Sequence, residues 1–396
     1  VPSPTPLISS WSFVDGGGST GIDAATHDAL TPRLAALDTR LYAAWSESNG
    51  TVTRIRASVY SGGIWAPVDG GALNHDSTQS ASAPALAVLN GELYAAWSES
   101  NGTNTVIHVS GYAGNDSAPT WTAVDAGGLN ADATKNATGP AFAIASGKLY
   151  AAWSESNGTH ALIRASVYGG NDSAPAWSAV DAGGLNVSTS RDATAPTLAA
   201  LTSGLYAAWS ESNGTVTQLR AKGYGGNDSS PAWNTADTGP INSDPTQNAA
   251  APALVSFLGN LVVAWQEAVS GGTHLVHASV YGGDSTPSWR AIDAGRLNFS
   301  SARDALAPTL TVFGSKLIAA WAETNGVAPQ IRVSLFNGIV SLPSWQFIDG
   351  AGVSGLNHSA ASAATTPAFC ALGSKLYGSW SETNGTAAQV RAVVGN

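Results

Sequence analysis

One ten-residue phrase recurs seven times along this chain, and no other feature restricts its folding as strongly. LYAAWSESNG begins at Leu41, Leu93, Leu149 and Leu205, and weaker copies follow as LVVAWQEAVS from Leu261, LIAAWAETNG from Leu317 and LYGSWSETNG from Leu376. The intervals are 52, 56, 56, 56, 56 and 59 residues. Self-similarity at such a period marks a repeat architecture, in which each unit buries its apolar face against its neighbours. A second phrase alternates with the first: WAPVDGGALN from Trp65, WTAVDAGGLN from Trp121, WSAVDAGGLN from Trp177, WNTADTGPIN from Trp233, WRAIDAGRLN from Trp289 and WQFIDGAGVSGLN from Trp345. Its seventh copy, WSFVDGGG, stands at the start of the chain from Trp11, so the 14 tryptophans divide as two per unit.

The unit from Pro140 to Asp181 splits into four strand-like runs, PAFAIA, KLYAAWSES, HALIRASVY and AWSAVD. Asn157-Gly158 between the second and third is a hairpin signal, because both residues tolerate positive φ. No segment sustains a 3.6-residue period, so no helix is expected. Four strands per unit and seven units predict an all-β fold, a seven-bladed β-propeller of four-stranded antiparallel blades. The last copy ends after its third strand, AAQVRAVV, whereas Trp11 to Asp15 supply a fourth strand without companions. The N-terminal strand is therefore expected to complete the C-terminal blade, closing the ring without an open edge. The expected organisation is one domain, 1–396, with an N-terminal segment 1–10, a closing strand 11–15, and blades at about 32–69, 84–125, 140–181, 196–237, 252–293, 308–349 and 367–396. An open solenoid would need atypical capping repeats, and two packed sandwiches would need a linker interrupting the period.

Charged residues make up 11% of the chain, against about 25% in ordinary globular domains. A formal charge of −10, with no basic cluster, excludes nucleic acid as a partner. No run of 18 apolar residues is present, so no membrane span is expected. The single Cys370 lies in an innermost-strand run, PAFCAL, and reads as a buried, inert thiol. A start at Val1 and the absence of methionine suggest removal of a secretory signal, hence an extracellular location. Twelve N-x-Ser/Thr sequons stand at Asn49, Asn101, Asn115, Asn136, Asn157, Asn171, Asn186, Asn213, Asn227, Asn298, Asn357 and Asn384. They are glycosylation candidates on exposed loops, although turn chemistry alone accounts for Asn in the five NGT hairpins and three NDS loops.

Three sets of polar residues follow the repeat. In the first, a tryptophan and a glutamate two residues later face a basic residue on the next strand: Trp45, Glu47 and Arg56; Trp97, Glu99 and His108; Trp153, Glu155 and Arg164; Trp209, Glu211 and Arg220; Trp265, Glu267 and His277; Trp321, Glu323 and Arg332; Trp380, Glu382 and Arg391. An odd separation across a hairpin puts all three on one face. The expected role is a repeated ion pair packed under an indole between blades, since every copy must satisfy the same packing; a sugar pocket is the functional alternative. The second set is the aspartates closing each fourth strand, Asp15, Asp69, Asp125, Asp181, Asp237, Asp293 and Asp349, which are expected to bond turn amides. No calcium-loop pattern surrounds them, and no metal or cofactor is expected.

The third set is a variable polar pair before each innermost strand, of which His27, Asp28, Lys135, Asn136, Arg191, Asp192, Arg303 and Asp304 are the charged or amide-bearing members singled out for ligand contact. In a propeller these loops share one end of the ring with the NGT hairpins. Neither HExxH nor GxSxG nor a phosphate loop occurs, and repetition supplies the same residues to every blade, so no catalytic constellation is singled out.

From Trp11 to Val394 the A-W-x-E strand and the W-x-x-V-D-x-G-x-L-N phrase resemble repeats of secreted, Trp-rich seven-bladed propeller proteins, similar in architecture to bacterial and fungal propeller lectins. The expectation is a non-catalytic extracellular subunit of a structural or adhesive assembly, with self-association or cell-surface partners. A multivalent lectin binding glycans is the alternative, and a glycan-active enzyme the third reading.

Overall fold

The computed structural model describes residues 8–17, 21–23, 26–269, 271–282, 287–350 and 355–396. They form 28 strands in seven four-stranded antiparallel sheets, with no helix among the described residues. Blade 1 runs Ala29–Leu37, Arg40–Ser48, Thr53–Ser61 and Ile64–Pro67. Blades 2 to 6 repeat that order. Blade 7 takes Ala364–Leu372, Lys375–Thr383 and Ala388–Gly395 from the C-terminus and Trp11–Phe13 from the N-terminus. Trp11 pairs with Gly395 and Phe13 with Val393, so the ring is closed by main-chain hydrogen bonds between the chain's two ends. Of the segment 1–10, residues 1–7 lie outside the described residues; Ile8 joins the core between blades 6 and 7.

Each innermost strand begins three residues before its proline, at Ala29 rather than Pro32 in blade 1, because the strand runs through a bulge. The residue before the proline has positive φ in every blade: Thr31, Ala83, Gly139, Ala195, Ala251, Ala307 and Thr366, between 51° and 65°. Only one of the seven is glycine, so six positions hold a side chain in a region that costs about 1 kcal/mol or more. The bulge re-aims the strand and lines the central channel with six of the seven prolines.

Two belts join neighbouring blades. In the outer belt, each fourth-strand indole N–H donates to a carbonyl of the preceding blade's fourth strand or its end, as in Trp177 to Val124 at 2.9 Å and Trp11 to Ile348 at 2.7 Å. All seven such tryptophans do so, which makes the belt continuous around the ring. The second belt lies at the end opposite the NGT hairpins and uses the aspartate of the NDS loops. Asp172 accepts from Tyr94 of the preceding blade at 2.8 Å and from Tyr168 of its own at 2.5 Å. Asp116 and Asp228 make the equivalent clamps, reinforced by Arg40 at 2.6 Å and Lys148 at 2.5 Å. These loops are therefore tyrosine clamps between blades.

Candidate functional site

The repeated Trp-Glu-basic face has a definite wiring. Each buried indole N–H donates to the glutamate two residues on, at 2.6–2.9 Å in all seven blades. In six blades the same carboxylate receives two main-chain N–H groups from the loop entering that blade, such as those of His75 and Asp76 on Glu99. The glutamate thus fastens one blade to the loop of its neighbour.

The basic residue pairs with the fourth-strand aspartate of its own blade in all seven copies: Arg56 with Asp69, His108 with Asp125, Arg164 with Asp181, Arg220 with Asp237, His277 with Asp293, Arg332 with Asp349 and Arg391 with Asp15. Arg56 additionally reaches Glu47, at 3.0 Å. Sequence spacing placed Glu and Arg on one face; the aspartate arrives from the adjacent fourth strand and lies closer.

The variable pairs divide their work. Second members bond the first N–H of a third strand in the preceding blade: Asp28 with Ala388 at 2.7 Å, Asn136 with Thr105 at 2.9 Å, Asp192 with Ala161 at 2.8 Å and Asp304 with His274 at 2.8 Å. First members face outward over the next hairpin glycine, His27 over Gly50, Lys135 over Gly158 and Arg191 over Gly214. Arg303 is half-buried, and its carbonyl accepts from Asn298.

Among the sequons, Asn186 and Asn298 are buried, and with Asn357 they donate their amide nitrogens to two carbonyls each. Asn49, Asn101, Asn115, Asn136, Asn157, Asn171, Asn213, Asn227 and Asn384 are exposed. Cys370 is half-buried, and burial pushes its thiol up to about 11.

Against this regular background three departures stand out, all in blades 7, 1 and 2. The first is Asp23. At the other six seams the residue in this place is asparagine (Asn74, Asn130, Asn186, Asn242, Asn298 and Asn357), whose Oδ1 accepts a third-strand N–H and whose amide nitrogen donates to two carbonyls. Asp23 keeps the first bond, to Val390 N–H at 2.7 Å, but its Oδ2 is buried without a partner. Burial, with the negative charge of Glu47 adding to it, pushes this carboxyl up to about 7 against the pull of the Val390 N–H and Arg391.

The second departure is Arg33. It occupies a channel position held elsewhere by Ala85, Ala141, Thr197, Ala253, Thr309 and Ala368, in a cavity of about 450 Å³. Its guanidinium donates to the Pro32 carbonyl at 3.2 Å, and no carboxylate is among the described residues lining the channel. Its side chain stays exposed to the water of the channel, so the charge keeps its hydration. Third, the His75 ring lies against that of His108, with centroids 4.1 Å apart and the planes tilted by 50°.

No protein-family model matches the chain, and no curated protein does. Solved structures do. The α-L-arabinanase of Penicillium chrysogenum, complexed with arabinobiose, is 13% identical with a TM-score of 0.52, covering 93% of each chain. The GH93 α-L-arabinofuranosidase of Fusarium graminearum, also with arabinobiose, is 16% identical with a TM-score of 0.51, covering 77% of this chain and 93% of its own. The endosialidase of phage phi92 is 10% identical with a TM-score of 0.55, covering 98% of this chain and 69% of its own.

At these identities the likeness is one of fold. It nevertheless corrects the expectation of a non-catalytic structural or adhesive subunit, and of a lectin as its alternative: the neighbours are enzymes named for glycan substrates. The premise behind that expectation, that every blade supplies the same residues, fails at Asp23, Arg33 and His75.

Proposed function

We propose that the protein is a glycan-active enzyme, a glycoside hydrolase, whose working sector is the seam between blades 7 and 1 together with the adjoining channel. The observation carrying this reading is Asp23. Asparagine satisfies this position at six seams, so aspartate here forfeits hydrogen bonds and buries a carboxyl. A residue that breaks a local rule at a cost in stability marks a functional position. A carboxyl still protonated near neutrality beside a second carboxylate, Glu47, is the pairing that glycoside hydrolysis uses. In the proposed step Asp23 gives its proton to the glycosidic oxygen as the C–O bond breaks. Glu47 takes a proton from the water that adds to the sugar carbon. Arg33 offers an uncompensated positive charge to a carboxylate or hydroxyl-rich sugar end, and Phe142 and Phe369 add apolar faces to the channel.

Reducing-end release should be measured on a panel of arabinans, sialosides and other plant and microbial glycans, with wild type and Asp23→Asn. Activity lost in a variant that folds and is more stable supports the reading. Unchanged activity would mean that Asp23 only imitates asparagine and is not the proton donor. No release from any glycan by the wild type would overturn the hydrolase reading.

A further inference from the structure

The seam between blades 1 and 2 differs from the other six in a way the hydrolase reading does not use. Position 75 belongs to the loop that enters blade 2 and packs over the basic residue of that blade's third strand. The described counterparts, which like His75 give their N–H to the glutamate of the blade they enter, are Ala131, Val187, Ser243, Phe299 and His358, in blades whose basic residues are Arg164, Arg220, His277, Arg332 and Arg391. None of those pairs brings two imidazoles together; among the described residues two meet only at His75 and His108.

His108 Nδ1 lies 2.8 Å and His75 Nδ1 4.0 Å from the same carboxylate oxygen, Asp125 Oδ2. The three ligand atoms lie within 4.8 Å of one another. A tetrahedral zinc ion with nitrogen and oxygen ligands at about 2.0–2.2 Å separates its ligand atoms by roughly 3.3–3.5 Å, between the two spacings observed. Closing His75 inward and letting His108 move back by about half an ångström would complete the set.

We propose that His75, His108 and Asp125 form a zinc site, with its remaining coordination position open to the adjacent cleft.

The surroundings suit it. Asp125 is held in place by the N–H groups of Val109 at 2.8 Å and Gly127 at 3.0 Å, which orients the ligand as outer partners of metal sites do. Nε2 of His75 is 3.3 Å from Ser110 Oγ, a partner for the imidazole nitrogen left over when Nδ1 ligates. The site is graded from solvent inward, with side-chain exposures of 26% for His75, 12% for His108 and 1% for Asp125. The cleft beside His75, about 360 Å³ and lined in part by Ser110, Thr120 and Trp121, provides an entry path and room for a water or an anionic donor. Two nitrogens and one oxygen with an open position suit zinc among the common divalent ions, and disfavour magnesium and calcium.

The repeat itself supplies conservative variants. His108→Arg recreates the Arg–Asp pair of blade 3, and His75→Ala recreates the Ala131 of the next seam. Untagged, chelator-treated protein is titrated with zinc by calorimetry and with cobalt(II) by ligand-field absorption. The expected result is one equivalent bound with a tetrahedral spectrum, and a zinc-dependent rise in the thermal midpoint. Affinity should fall more than about 100-fold in either variant, since losing a ligand costs more than losing an outer partner. His160→Ala, at a surface His–Asp contact, should bind as wild type does. Absence of the single site in wild type, or its survival in both His75→Ala and His108→Arg, would overturn the proposal. If one variant misfolds, the other decides.

Discussion

Replacing Asp23 by asparagine should stabilise this protein, and the size of the gain should depend on pH. The unfolded carboxyl releases its proton near its ordinary value of 3.8, whereas the folded one releases it at about 7. Between those values the folded state holds the extra proton, so stability falls as pH rises from about 4 to about 7 and levels off above that. Three pH units at about 1.4 kcal/mol each set an upper bound of about 4 kcal/mol. Asp23 retains some exposure, so solvent screening brings the working figure to about 2 kcal/mol. Urea denaturation of wild type and Asp23→Asn from pH 3 to 9 measures this. The expected outcome is near-equality at the acid end and a gain of about 2 kcal/mol at pH 8, or about 2–5 °C in Tm for a chain of this length. Parallel pH profiles for the two proteins, or a less stable variant at pH 8, would refute the reasoning.

Asp172→Ala leaves the hydroxyls of Tyr94 and Tyr168 without their shared acceptor and should cost about 1–3 kcal/mol in urea denaturation; Tyr94 retains Glu92 at 3.0 Å, which favours the low end. Ala195→Gly relieves a side chain at φ 52°, and Gly139 holds the same place in blade 3, so a net gain of up to about 1 kcal/mol is expected from thermal unfolding. Arg33→Ala removes a solvent-exposed charge from the channel and should leave Tm nearly unchanged. In steady-state assays on a cleaved glycan it should raise KM several-fold with little change in kcat, as loss of ground-state binding does.

The ring was legible because its signals are local or periodic. The period, the Asn-Gly hairpins and the complementary ends need no knowledge of packing. What lay beyond reach depends on which side chains meet across a seam. Trp177 bonds a carbonyl 53 residues away and Tyr94 an aspartate 78 residues away, and no spacing rule within one hairpin addresses such pairs. The basic residues choose Asp over Glu because a third strand brings the aspartate alongside, which the two-strand reading omitted. The positive φ before each proline gave no compositional cue, since alanine and threonine occupy six of the seven positions.

The candidate site was legible in part, and from departures rather than recurrences. Ile22-Asp23 stands where other units write Leu-Asn or Ile-Asn, and Arg33 follows a proline that elsewhere precedes alanine or threonine. His75 and His108, 33 positions apart, could be joined only once the seam was known.

The claim that function resides in the irregular seam between blades 7 and 1 and the adjoining channel is tested most directly by a crystal structure of Asp23→Asn bound to an oligosaccharide that the wild type cleaves. The predicted result is one sugar chain, with an end at Arg33 in the channel and its scissile linkage facing position 23 and Glu47. Sugar bound at seven equivalent seams, or at a blade outside that sector, would contradict the account.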